Sequence, residues 1–143
     1  MTAGQEDPLA LRALVRAFEE RPLPFADWHH REHLVVCCWL LLEHPLAEAT
    51  VRLRAGIQTF NARHGIEQTP TGGYHETVTL CFLRLIDAFL TERGREAPRE
   101  VLVAEVGARF ADKYCVLEHY SRERINSWEA RTGWVEPDLK PLP

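Results

Sequence analysis

The chain has 143 residues, 45% apolar and 27% charged, with 17 Lys and Arg against 21 Asp and Glu. That length fits one domain around one core, 1–143. A net charge of -4 with no basic block argues against nucleic acid and acidic membrane surfaces as partners.

The opening MTAGQEDPLALRALV has no basic stretch followed by an apolar one, so no secretory leader is expected. Asp7-Pro8 reads as an N-cap followed by proline at the first helical position, opening a helix to about Glu20. Leu11, Leu14, Val15 and Phe18 make its apolar stripe. Arg21-Pro22-Leu23-Pro24 is a break, so 1–24 forms an N-terminal helix and linker ahead of a core bundle over 25–121.

Asp27 is the next expected N-cap, for a helix from Trp28 to about Glu43. It is apolar nearly all round, as suits the middle of a bundle. Its unbroken apolar run, 34–42, is far short of the roughly 20 residues of a membrane span. Pro45 starts a third helix, with Leu46, Ala49, Leu53, Ile57 and Phe60 inward and Gly65 as its stop. After a loop ending Thr-Pro-Thr-Gly-Gly, expected to act as a lid with glycine hinges, a fourth helix runs from Tyr74 to about Arg93. Its stripe is Val78, Phe82, Leu85, Ile86 and Phe89. A fifth starts near Pro98 and continues to about Tyr120, with a kink at Ala111-Asp112. A short turn over 127–131 follows, and three prolines keep the tail from 135 extended. No window alternates with period two. The expected fold is all-α: a single-domain bundle of four or five helices with a proline-rich C-terminal strap over 122–143.

Cys37, Cys38, Cys81 and Cys115 form no CxxC and lie in apolar helical stretches. Free thiols in a reducing, bacterial-type cytoplasm are expected.

The chemistry gathers around DWHHREHL, 27–34. His30 and His33 share one side of a helix, and two imidazoles at that spacing can hold one metal ion. His29 is an alternative partner for His33. The third ligand expected is His75, in Gly-Gly-Tyr-His-Glu-Thr at the start of the fourth helix. Short loops make neighbouring helices alternate, so the second and fourth helices run parallel and their N-termini meet at one end. Glu76 would then be a general base or an outer partner, and Tyr74 an acid or hydrogen-bond donor. Free N–H groups at two helix starts also suit an anionic group. His119 is ambiguous between core and site, His64 is expected at its helix C-terminus, and His44 in a turn. Known signatures are missing: Thr79 stands where HExxH needs histidine, no PCxxC follows His30-Arg-Glu32, and no ExxH pair occurs.

His30-Arg-Glu-His-Leu34, Tyr74-His-Glu-Thr-Val-Thr79, Tyr120-Ser121 and Pro137-Asp-Leu-Lys-Pro-Leu-Pro143 resemble a group of small bacterial proteins without an assigned activity. The group's pattern is H-R-x-H-L, Y-H-E-T-x-T and a terminal P-D-L-x-P-L-P, and the resemblance covers the chain from about Phe25 onward. It implies a shared site, favours His30 over His29, and draws in Tyr74, Thr77, Tyr120 and Ser121. It implies no substrate or cofactor.

Two functions follow as expectations. One is a metal-dependent enzyme on a small molecule, with one divalent transition metal, zinc or iron foremost, on His30, His33 and His75. Glu76 and Tyr74 would be catalytic, with His29, Thr77, His119 and Tyr120 as further candidates. The other is a non-enzymatic, metal-free protein that binds a small molecule or anion in the same place. A blander case leaves the histidines structural.

Overall fold

The computed structural model of the chain describes residues 7–20 and 23–143. The opening 1–6, read above for a leader, and Arg21-Pro22 of the first break lie outside the described residues. The described residues are all-α, without a β-strand. Helix α1 spans Pro8–Glu20, α2 His30–Glu43, α3 Leu46–Arg63, α4 Glu76–Arg93 and α5 Arg99–Arg109, and short helices α6 Arg122–Ile125 and α7 Trp128–Thr132 follow.

Helix α1 begins as expected: Leu9 N–H donates to Asp7 Oδ1 at 3.2 Å, and Leu11, Val15 and Phe18 are buried. Helix α2 is the central element. Every residue from Leu34 to Leu41 is buried, and α1, α3, α4 and α5 all pack on it. A helix enclosed by four neighbours has no solvated face, which accounts for its missing polar stripe.

The start of α2 differs from expectation. Asp27 closes a one-turn 3-10 helix, Phe25–Asp27, and His29 is the N-cap. The Glu32 carboxylate accepts from the His29 backbone N–H and from His29 Nδ1–H, both at 3.0 Å, and so satisfies a free donor at the helix end.

Helix α3 buries Ala49, Leu53, Ile57 and Phe60, and Gly65 ends it at φ +66°. Helix α4 also starts two residues later than expected, with His75 outside it as N-cap. Its buried face is Thr77, Cys81, Phe82, Leu83, Ile86 and Leu90, while Val78, Leu85 and Phe89 flank it. The expected stripe was thus rotated, because α7 covers a second side of α4 that sequence periodicity did not reveal.

The long fifth helix is corrected into two pieces. Helix α5 stops at Arg109, and a 3-10 helix covers Lys113–Glu118. Asp112 makes this a break and not a kink: its carboxylate accepts from Tyr114 N–H at 2.9 Å, competing with continuation of the helix. Ser121 and Ser127 then cap α6 and α7 through side-chain oxygens.

The tail is an extended strap, as its prolines require. Leu139 N–H donates to the His119 carbonyl at 2.9 Å, and Ser121 Oγ–H to Asp138 at 2.6 Å. One core runs from Leu11 through Ile125, with Trp134, Val135 and Leu142 packed on it. Among the described residues, no helix is long and apolar enough to cross a membrane. The four cysteines are free thiols, as expected.

Candidate functional site

The N-terminal ends of α2 and α4 meet at one end of the bundle. There, His29, His30, His33, Tyr74 and His75 line a single cavity of about 580 Å³. Its apolar walls come from several elements: Leu34 and Cys37 of α2, Leu53 and Ile57 of α3, Phe82 of α4, and Val116 after α5. Asn61, Lys113, Arg122 and Asn126 add polar groups from α3, the 3-10 helix and the α6 region. His75 thus lines the same cavity as His30 and His33 across more than forty positions of chain, but among the described residues no three His, Cys, Asp or Glu side chains are grouped closely enough to hold a metal ion.

The three imidazoles are held differently. His75 uses both ring nitrogens: Nδ1 accepts from Val78 N–H at 3.1 Å, and Nε2–H donates to the Ile125 carbonyl at 2.6 Å. Those two bonds together fix one neutral tautomer. Burial, against the Ile125 bond, holds its pKa below the usual histidine value. His75 therefore caps α4 and ties it to the end of α6, a role unlike the inward-facing position on the α4 stripe expected for it. His30 uses one nitrogen, Nε2–H donating to the Phe110 carbonyl at 2.8 Å, and its ring meets Phe82 edge-on at 5.2 Å. The His33 ring has no hydrogen-bond partner among the described residues. It lies tilted against Trp28, 4.0 Å between centroids, and Trp28 in turn stacks on Phe18 at 4.9 Å. Burial, with a smaller electrostatic contribution from the neighbouring His30 ring, pushes the His33 pKa down to about 4, so the ring is neutral at pH 7.

Glu76 and Tyr74 form a closed group. Arg54 grips the Glu76 carboxylate through two bonds, 3.0 and 2.6 Å, and Tyr74 O–H donates to it at 2.5 Å. Burial works to raise the Glu76 pKa, but the bonds from Arg54 and Tyr74 outweigh it and the net value is lowered. Burial and the bond to Glu76 push the Tyr74 hydroxyl well above its usual range. A carboxylate held by three donors is a poor base, and a tyrosine so raised is a poor acid. In this arrangement the expected catalytic pair is an ion-pair clasp between α3 and the start of α4. Tyr74 still lines the cavity, whereas Glu76 is not among the lining residues.

Of the further candidates, only His29 lines the cavity, and it is largely exposed. Thr77, His119 and Tyr120 are buried elsewhere and hold the strap. Thr77 O–H donates to the Gly133 carbonyl at 2.7 Å and accepts from Val135 N–H at 3.2 Å. His119 Nδ1–H donates to the Lys140 carbonyl at 3.0 Å, and Tyr120 O–H to the Val135 carbonyl at 2.7 Å. Ser121 likewise serves the strap through Asp138. His64 is the C-cap of α3, as expected, its N–H donating to the Phe60 carbonyl at 3.1 Å, and its ring Nε2–H also donates to the Leu23 carbonyl at 2.8 Å. Cys37 lines the cavity, but burial raises its pKa to about 12, so it stays a thiol and a weak nucleophile.

No family model, curated protein or solved structure matches the chain. The site has to be understood from its own chemistry.

Sequence reasoning missed Lys113, Arg122, Asn61 and Asn126 as lining residues, and Arg54 as the partner of Glu76. Asp112 was the available signal for the first of these: read as a helix breaker, it would have freed 113–118 from α5 and let that segment fold over the helix ends. The loop before α4, expected as a mobile lid, is tied down. Thr69 and Gly72 pair across a tight turn, Gln68 donates to the Tyr74 carbonyl at 2.9 Å, and Arg131 donates to the Gly73 carbonyl at 3.3 Å. Gly73 has φ +88°, and a side chain there would meet the Glu67 carbonyl at 2.7 Å, so glycine is needed for the turn itself.

Proposed function

We propose that this chain is a small-molecule-binding helical protein and that its ligand occupies the histidine-lined cavity. The observation that supports this best is the character of the cavity: apolar walls and a few convergent polar groups, in a volume typical of ligand sites. His33 is neutral with its ring nitrogens uncommitted, and His30 keeps Nδ1 free of any described partner. Together they offer a ligand both a donor and acceptors, while Cys37, Phe82 and Ile57 supply apolar contact. The free thiols suit a reducing compartment, and we place the protein in the cytoplasm on that ground.

A thermal-shift screen of small organic molecules tests this reading, because a ligand bound only by the folded state raises the melting temperature by mass action. The expected hit stabilises the wild type and fails on a His33→Phe variant, which keeps an aromatic ring on Trp28 but removes the ring nitrogens. A broad screen with no stabilising molecule would count against the proposal.

The second reading is the metal-dependent enzyme, favoured by the lining of one cavity by three imidazoles. It would place one zinc or iron(II) ion on His30, His33 and His75. It requires His75 to release either Val78 N–H or the Ile125 carbonyl, since both nitrogens are engaged. Elemental analysis of untagged protein, from cells supplied with zinc, iron, copper and manganese, decides it. About one equivalent of one metal, lost in His75→Asn, would support the three-histidine site. Asparagine can still cap α4, so loss of metal would not be loss of fold. Metal retained in that variant, or none after reconstitution, would sink the assignment.

A further inference from the structure

The charge pattern of the cavity bears on what it takes. No carboxylate side chain lines it among the described residues, although acids outnumber bases in the chain. The two fully charged residues that do line it, Lys113 and Arg122, are both exposed and come from different elements, the 3-10 helix and α6. Neither has a carboxylate within ion-pair distance among the described residues. Elsewhere such matches are common: Arg52 with Glu48, Arg54 with Glu76, Arg93 with Glu105, Arg95 with Asp87 and Arg99 with Glu43. The exposed part of the lining thus carries two cations without a carboxylate partner, Lys113 lying over the Tyr114 ring at 5.3 Å, while Leu34, Leu53, Phe82 and Val116 form its buried part, a gradient of polarity.

Resting on the reading of this cavity as a ligand site, we infer that its ligand is an amphipathic organic anion. Its carboxylate or similar acidic head meets Lys113 and Arg122, and its apolar body enters toward Leu53 and Phe82. The low-dielectric walls focus the field of the two cations on an anion and disfavour a cation of the same shape. His33 is neutral and both ring nitrogens of His75 are committed, so the permanent positive charge in the lining comes from Lys113 and Arg122. Asn126, beside Arg122 in the lining, adds an uncharged donor for the head group. The inferred occupant is thus a monoacid with an apolar chain or ring, in preference to a sugar, a cationic amine or a polyphosphate; two surface cations are too few to neutralise the last.

Three probes with one apolar chain test this: octanoate, 1-octanol and octylammonium, each titrated by calorimetry at low and high salt into the full chain. The expected order is octanoate tightest, octanol weaker and octylammonium weakest, with only octanoate losing affinity as salt rises. The double variant Lys113→Gln with Arg122→Gln should weaken octanoate about tenfold, toward octanol, at unchanged helicity. Equal affinity for acid and alcohol, or a double variant that binds octanoate like the wild type, overturns the anionic-head assignment while the cavity remains a ligand site. If none of the three binds at millimolar concentration, the amphipathic ligand is overturned too, and the broader proposal then rests on the screen above. If octylammonium binds best, the sign of the inferred charge is wrong.

Discussion

The cavity end and the strap contain the same kinds of side chain and treat them in opposite ways. In the strap, Thr77, His119 and Tyr120 are buried and each finds a backbone partner: Gly133 and Val135 for Thr77, Lys140 for His119, Val135 for Tyr120. In the cavity, the His33 ring has no hydrogen-bond partner among the described residues, and the His30 ring spends one nitrogen of two. The strap supplies carbonyls and N–H groups at close range, so its polar residues fasten structure. The cavity leaves polar atoms with no protein group opposite, which is the condition for recognising something else. His75 falls between the two: it lines the cavity, yet both nitrogens are committed as in the strap.

The largest effect should come from breaking the strap side. Thr77→Val leaves the Gly133 carbonyl and the Val135 N–H without their partner beside a fully buried side chain, at a cost of about 3 kcal/mol. Thermal denaturation should show a drop of about 10 °C. A near-neutral result would mean that the strap is held by packing alone and that the contrast is overstated.

Next in size is a pH effect on the cavity side. The folded pKa of His33, about 4, lies below its unfolded value of 6.5, so the unfolded chain binds the extra proton between them. His33 therefore contributes stability that is complete above about pH 6.5 and declines as pH falls toward 4. Between pH 7 and pH 5 the loss from this residue is about 2 kcal/mol. His75 is shifted in the same direction, so the test is a difference: urea melts at both pH values should show less pH dependence in His33→Phe than in the wild type. Identical pH dependence would mean that His33 is more solvated than its surroundings imply.

His75 should respond as a cap. His75→Ala removes the acceptor for Val78 N–H and the donor to Ile125, for about 1–2 kcal/mol, and His75→Asn should recover part of it. Equal losses in the two variants would show that the bond to α6 matters more than the cap. The smallest effect belongs to Lys113→Gln with Arg122→Gln. Without ligand, two exposed and unmatched cations contribute little, and the melting temperature should not move. A clear fall would reveal a structural role and remove them from the mouth of a binding site.

How much of this was legible follows from particular residues. The α1 cap at Asp7, the all-round burial of α2 and the stop at Gly65 were readable, because each depends on groups a few positions apart. That His30, His33 and His75 would line one end of the bundle was readable from helix parity. The roles were not. Glu76 looked like a base until Arg54, far upstream, reached its carboxylate. Thr77 and Tyr120 looked like site residues until the tail laid its backbone over them.

By itself, the sequence determined an all-α chain with one apolar central helix, free cysteines and histidines at two helix starts. Those features are local, set by periodicity, caps and composition. Only the tertiary structure decided which imidazole nitrogens are consumed, which acid is clasped, and which cations face an opening. A hydrogen bond or an ion pair depends on atoms within about 3 or 4 Å, and here the decisive ones come from residues dozens of positions apart.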